Sequence, residues 1–235
     1  LETDKPEMLK GIEPSRLVEL AFFAPQWMEL VREHLKWKGF NEAYYYFVAH
    51  TKESDSEAKR AQIALYTDLA PEELADGAFD ARLFNEAFKL VGKKNFALFY
   101  DAAKYMGSSN YHSRARRFAD VTQGLIKETE LYEQIDKTRN KDALCALGLV
   151  PLPKSKVDTA LLKRYKRIQA FLKESKQFGA QRQTPEKRTA EIALINLARS
   201  AGYDDVIQLV WRMEGHLVAD NKAMLDGLEA DGYLI

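Results

Sequence analysis

The longest unbroken helical period in the chain lies at residues 156–178, KVDTALLKRYKRIQAFLKESKQF. Val157, Leu161, Tyr165, Ile168 and Leu172 recur at steps of three and four, which places them on one stripe of an α-helix. At ~1.5 Å per residue such a helix runs roughly 34 Å, enough to cross a small domain. Leu162, Phe171 and Phe178 widen the stripe, so neighbours are expected on more than one side. Ser155 reads as its N-cap, with Asp158 three residues on, and Gly179 as its stop. A chain organised around this spine is constrained to the all-α class.

The same signals recur along the rest of the chain. Residues 15–37 read as a helix interrupted at Pro25 and broken by Gly39. The next helix, 40–51, is dense in rings (Tyr44, Tyr45, Tyr46, Phe47). Ser54-Asp55-Ser56-Glu57 is a capping box, and Pro71 suits a first helical position. Asp80 caps a helix carrying Leu83, Phe84, Ala87, Phe88 and Val91, which Gly92 ends. Another holds Phe96, Phe99, Tyr100, Ala103 and Met106 and stops at the turn Gly107-Ser108-Ser109-Asn110. Helices follow at 111–126, 127–139 and 141–147. Thr184-Pro185 starts a helix through Leu194 and Leu197, and Asp204 caps one with Ile207, Val210, Trp211 and Leu217. A separate helical tail covers 221–228. The expected architecture is an irregular array of helix pairs, helical-repeat-like or an orthogonal bundle, with strand under about a tenth of residues. Residues 148–154, with two prolines, read as a linker between an N-terminal subdomain, 1–147, and a C-terminal one, 155–235.

Thirty-five Lys and Arg balance thirty-five Asp and Glu, so net charge by itself argues for no polyanionic partner. Cys145 is the single cysteine, which rules out an intrachain disulfide and fits a reducing, cytoplasmic setting. No apolar run approaches the ~20 residues of a membrane span. A first residue other than methionine and an end directly after a helical pattern suggest a piece of a longer polypeptide.

Local charge is less even. Residues 163–188 carry nine bases against two acids. Lys163, Arg164, Lys166, Arg167, Arg182 and Arg188 are therefore candidates to track phosphates. The bland reading is a solvated helix face, or one facing the acids of 53–86, where nine acids meet three bases. Arg114 and Arg117, just after the GSSN turn, share a helix face and form a second candidate anion site, weighed against an arginine held to an acidic helix. Gln181, Arg182 and Gln183 read as a loop of long donors between two helices, suited to a ligand or partner. His34, His50, His112 and His216 have no second ligand at i+3 or i+4, so no metal site is expected. Residues 220–231 lack the alternating oxygen ligands of a calcium loop. No phosphate-binding glycine loop or nucleophile elbow is present, and neither a catalytic residue nor a cofactor is expected. Trp27, Trp37 and Trp211 are expected in the core or at helix interfaces.

Three stretches, FYDAAKYMGSSNYHSRARRFAD, KDALCALGLVPL and FLKESKQFGAQRQTPEKRTAEIALINLARSAGYDD, carry a resemblance spanning most of residues 14–215. They resemble a set of large bacterial proteins of unknown function described as molybdate metabolism regulator-like, some of which carry a WGR domain. The resemblance implies an internal helical region of a much longer polypeptide. Through the company WGR domains keep elsewhere, it raises a nucleic-acid reading. No residue cluster supports a molybdate site. The function expected is a non-catalytic helical scaffold that docks other domains or proteins. The alternative is a nucleic-acid or nucleotide-binding module using 163–188.

Overall fold

A computed structural model of the chain describes residues 7–51, 56–106 and 112–226. Twelve α-helices and no strand occur among them. They form two compact units, residues 1–127 and 128–235.

The first unit contains α1 (Pro14–Phe23), α2 (Met28–Leu35), α3 (Phe40–His50), α4 (Glu57–Ile63), α5 (Pro71–Asp76), α6 (Ala81–Ala102) and α7 (Ser113–Thr122). Pro25 separates α1 from α2 through a single 3₁₀ turn, as its position in the sequence predicts. Successive rings at 44–47 point about 100° apart around a helix, so α3 presents apolar groups on every side. It is accordingly the centre of the unit, with nine of its eleven residues buried. α6 packs along it, and Gly92 (φ 77°, ψ 155°) breaks α6 where the sequence predicts an end. Phe99 meets Phe22, Trp37 and Phe40 edge-on at 5.0–6.3 Å between ring centroids. Asp80 caps α6 through its Oδ1, which accepts from the Leu83 N–H at 2.9 Å.

His50 closes α3 inside this apolar core, 1% exposed. Its Nε2 accepts from the Asp80 N–H (3.0 Å), so Nδ1 carries the proton and donates to the Tyr46 carbonyl (2.8 Å). One tautomer thus satisfies both ring nitrogens. Burial lowers the imidazole pKa to about 4.

The second unit contains α8 (Glu128–Thr138), α9 (Lys141–Leu147), α10 (Val157–Ser175), α11 (Ala180–Ser200) and α12 (Val206–Asp226). α10 is the spine the period predicts, packed on α11 and α12, while α9 lies on α11 and α8 on α9. Leu161, Tyr165 and Ile168 are buried as expected. Phe171 rather than Leu172 continues the stripe, and Val157 is 37% exposed.

Several caps and boundaries differ from those the sequence predicts. Lys156, in the left-handed region at φ 57°, precedes α10 with no side-chain cap, in place of Ser155. Gly179 is extended and opens α11, so this helix begins at Ala180 and runs through Pro185. Pro185 is the sixth residue of α11, past the first turn, and leaves the Gln181 carbonyl without its i+4 amide donor. The carboxylate accepting from the first turn of α12 belongs to Asp205 (Oδ1 to Ile207 N–H, 2.8 Å) rather than Asp204, and α12 runs on through 221–226. For the capping box, Ser54 and Asp55 lie outside the described residues, and Ser56 accepts from the Lys59 N–H. The turn at 107–110 lies outside them as well.

The segment 148–154 falls within the second unit. A Cβ on Gly148 would stand 2.6 Å from the Leu197 nitrogen, so the end of α9 touches the backbone of α11. Leu149 is buried, and the Val150 and Pro151 carbonyls accept from Arg164. Two prolines stop a helix there; they do not stop packing.

Candidate functional site

α10 positions the basic residues at helical spacing, and the fold treats them unequally. Arg164 is 1% exposed. Its guanidinium donates to the Glu128 carboxylate (3.1 and 3.3 Å), the Val150 carbonyl (2.7 Å) and the Pro151 carbonyl (3.3 Å). It locks the α9–α10 connection and lies out of reach of any phosphate. Lys163 shares Glu128 at 3.1 Å and sits over the Tyr132 ring. Arg167 pairs with Asp136 at 2.7 Å and approaches Glu174 at 3.5 Å. Arg188 stands 3.6 Å from Glu191. These acids all belong to the same unit, where the sequence had pointed to 53–86. Lys166, with Lys173, Lys176 and Lys187, is exposed and makes no ion pair with another described residue.

A second knot gathers around Glu186, which is 1% exposed. Arg139 donates to both its carboxylate oxygens (2.8 and 3.1 Å), to Glu174 (2.7 Å) and to the Phe171 carbonyl (2.9 Å). Arg182 reaches the same Glu186 carboxylate at 2.8 Å. The Arg139 guanidinium stacks over Phe171 and Phe178, 3.9 and 5.1 Å from the ring centroids. Burial works to raise the Glu186 pKa, but the bonds from Arg139 and Arg182 outweigh it and hold it at about 2. Arg139 adopts φ 50°, a left-handed conformation that costs a residue with a side chain on the order of 1 kcal/mol. The anchored guanidinium offsets that strain. No sequence motif singled out Arg139; the only hint is an arginine where a helix end favours glycine.

The remaining candidates separate. Gln183 is on α11, not in a loop, and its amide donates to the Phe178 and Lys176 carbonyls, capping α10. Gln181 is exposed on the first turn of α11. In the first unit, Arg114 is 5% exposed and donates to the Ala75 (2.6 Å) and Leu74 (3.4 Å) carbonyls at the end of α5. It is held to an acidic helix, PEELAD, through that helix's C-terminal carbonyls rather than its carboxylates. Arg117 is half-buried and engaged. Arg116 lies over the Tyr100 ring at 4.2 Å, and the Tyr100 hydroxyl donates to Asp120 at 2.8 Å.

α12 carries what the sequence reading missed. Its inner face buries Leu209 and Met213, and the Tyr165 hydroxyl donates to Glu214. Burial, then that carboxylate, pushes the phenol up to about 12. Arg212 pairs with Asp158 at 2.8 Å. The outer face leaves Ile207 52%, Trp211 73% and Val218 65% exposed. These positions fall four and seven residues apart, one stripe of the helix. Trp211 was expected in the core; the inner stripe was already filled by Leu209 and Met213.

Among the described residues no group of His, Cys, Asp or Glu could hold a metal, and no helix is long and apolar enough to cross a membrane. The family of unknown function DUF5724 matches residues 1–213, and the chain belongs to it. No curated protein and no solved structure matches.

Proposed function

For a member of a family of unknown function, we propose a non-catalytic helical scaffold whose α12 docks an apolar helix of a protein partner or of a neighbouring domain in the same polypeptide. One observation carries this reading: Ile207, Trp211 and Val218 form an exposed apolar stripe centred on a tryptophan. Exposed apolar side chains on one helix side mark interaction sites, and tryptophan is among the side chains most enriched as binding anchors. Exposed Glu214, between Trp211 and Val218, gives the stripe a polar member. Gly215 lies on the same stripe, and a Cβ added there would meet nothing within 4 Å, so a partner helix can approach the backbone closely. The resemblance to larger bacterial proteins supports a setting among other domains. The lone buried Cys145 suits a cytoplasmic one.

The nucleic-acid reading loses most of its arginines to ion pairs, since Arg164, Arg167 and Arg182 already hold carboxylates. It rests on the exposed lysines, which are compact point charges without bidentate geometry.

A photo-crosslinking amino acid placed at 211 or 207 in the full chain, in its own cells, should trap one discrete protein or domain. Placed at Gln181 it should trap nothing at that mass. The species identified must then bind the purified chain and lose affinity for Trp211→Ala by at least tenfold, the scale of an anchor residue. Equal trapping at 181 and 211, or unchanged affinity, defeats the reading.

A further inference from the structure

The ring-dense stretch at 44–47 has an outlet that the core does not explain. Beside α1, α3 and α4 in the first unit lies a cavity of about 470 Å³, walled by Phe22, Phe23, Tyr44, Tyr45, Tyr105 and Met106. That volume falls within the range of small-molecule sites, and Ser56, Lys59 and Gln62 supply polar groups beside the mainly aromatic wall.

Tyr44 is the informative member. It is 5% exposed, its ring stacked on Phe22 (centroids 4.9 Å apart, planes at 19°) and set edge-on to Tyr45 at 5.2 Å. Its hydroxyl nevertheless makes no hydrogen bond with another described residue. The adjacent tyrosines do find acceptors: Tyr45 in Gln62 (3.4 Å) and Tyr46 in the Ala115 carbonyl (2.9 Å). The Tyr44 ring is buried, but its oxygen is not a sealed, unpartnered atom: solvent still reaches it, and so can a guest in the cavity. Burial, with the neighbouring Tyr45 adding to it, pushes the Tyr44 pKa well above the ordinary tyrosine value, so the group stays protonated and keeps an O–H to donate. The donor sits in the wall of an aromatic box whose outer ring, Phe23, is 75% exposed and free to cover a guest.

We propose that this cavity binds a flat aromatic small molecule bearing a hydrogen-bond acceptor, its rings against Phe22, Phe23 and Tyr45 and its acceptor on the Tyr44 hydroxyl. The class is carbonyl-bearing, because the neutral phenol offers its O–H to an acceptor, and Lys59 in the same wall disfavours a cationic guest. An apolar peptide side chain would fill the same space without using the hydroxyl.

Two shape-matched probes separate these cases, 2-acetylnaphthalene and 2-ethylnaphthalene, titrated into the full chain and followed by amide NMR shifts. The acetyl compound should bind about fivefold tighter, the worth of one neutral hydrogen bond, with shifts centred on Tyr44, Tyr45 and Val48. Tyr44→Phe keeps the ring and should equalise the two. Ala58→Trp, at an exposed position on the cavity's α4 rim, should weaken both without touching the core. The proposal is overturned by absent binding, by shifts elsewhere, by equal binding to the unaltered chain, or by a preference that survives Tyr44→Phe.

Discussion

The two units share helical architecture and differ in what their aromatic rings touch. Among the described residues, every ring–ring pair lies in the first unit, around Tyr46, Phe47, Phe84, Phe96 and Phe99. In the second, the rings of Phe171, Phe178 and Tyr132 lie under the cations of Arg139, Arg182 and Lys163. Ion pairs follow the same division. Those of the first unit are surface pairs such as Arg82–Asp68, with side chains 59% and 90% exposed. Those of the second include Arg139–Glu186 at 12% and 1%. One core rests on burial of apolar area, which needs shape and little direction. The other adds guanidinium forks that fix orientation, so it resists acid and depends on specific partners.

The largest expected effect tests the apolar side of this contrast. Phe99→Ala removes a fully buried ring that three others meet and should cost about 3–5 kcal/mol in chemical denaturation. The loss should not change with salt, because no charge is involved. A loss under about 1 kcal/mol, or one that salt modulates, would erase the distinction between the units.

Acid should then part them. His50 is neutral when folded, with a pKa of about 4 against about 6.5 unfolded, so below 6.5 the unfolded chain takes up a proton the folded one refuses. Stability falls as pH drops from about 6.5 to 4, by on the order of 3 kcal/mol in total. Asp80 and Arg114 are the charged groups facing His50. Glu186 has the opposite sign. Its folded pKa, about 2, lies below the unfolded value near 4.3, so its contribution is intact above about 4.3 and is lost between there and 2. Amide exchange should therefore loosen in α3 at a pH where α11 is still protected. Simultaneous loosening would show that neither group governs its surroundings.

Helix content, the spine and the break at Gly92 were legible because period and glycine act locally. The helix at 40–51 was legible too, while its burial on every side came only with the structure. What stayed hidden depends on who meets whom in space. Arg164 and Lys166 are indistinguishable in a basic run, yet one is entombed and the other free, since a two-residue step turns the side chain by about 200°. Trp211 looked like core because apolar residues at 207, 209, 210, 211 and 213 offer two stripes, and only contact with α10 and α11 selects one. Residues 148–154 looked like a linker because prolines report on the backbone and not on what Gly148 lies against.

Arg164→Met sharpens the polar side. It strips the Val150 and Pro151 carbonyls of their donor and leaves the Glu128 carboxylate partly uncompensated, for a loss of roughly 2–4 kcal/mol. Adding Glu128→Gln should recover part of that loss, because the stranded charge disappears; strictly additive losses would mean the pair is not coupled.

The smallest effect on stability separates the two functional readings. Arg167→Gln with Arg182→Gln removes ion pairs that each have one member in solvent, Asp136 at 60% and Arg182 at 48% exposed, and Glu186 keeps Arg139 as its partner. Surface pairs are worth ~0–1 kcal/mol each, so the denaturation midpoint should barely move. If residues 163–188 nonetheless track phosphates, a duplex or single-stranded oligonucleotide should bind the unaltered chain with an affinity that drops steeply with salt, as condensed counterions are released. The double variant should then bind all sequences more weakly, and its salt slope should flatten by up to about one unit per lost contact. The scaffold reading expects only weak, non-specific association at low salt, identical in both proteins, because these guanidiniums are already occupied by carboxylates of their own unit. A salt-steep affinity that the double variant loses would move the working surface from the outer stripe of α12 to the basic face of α10.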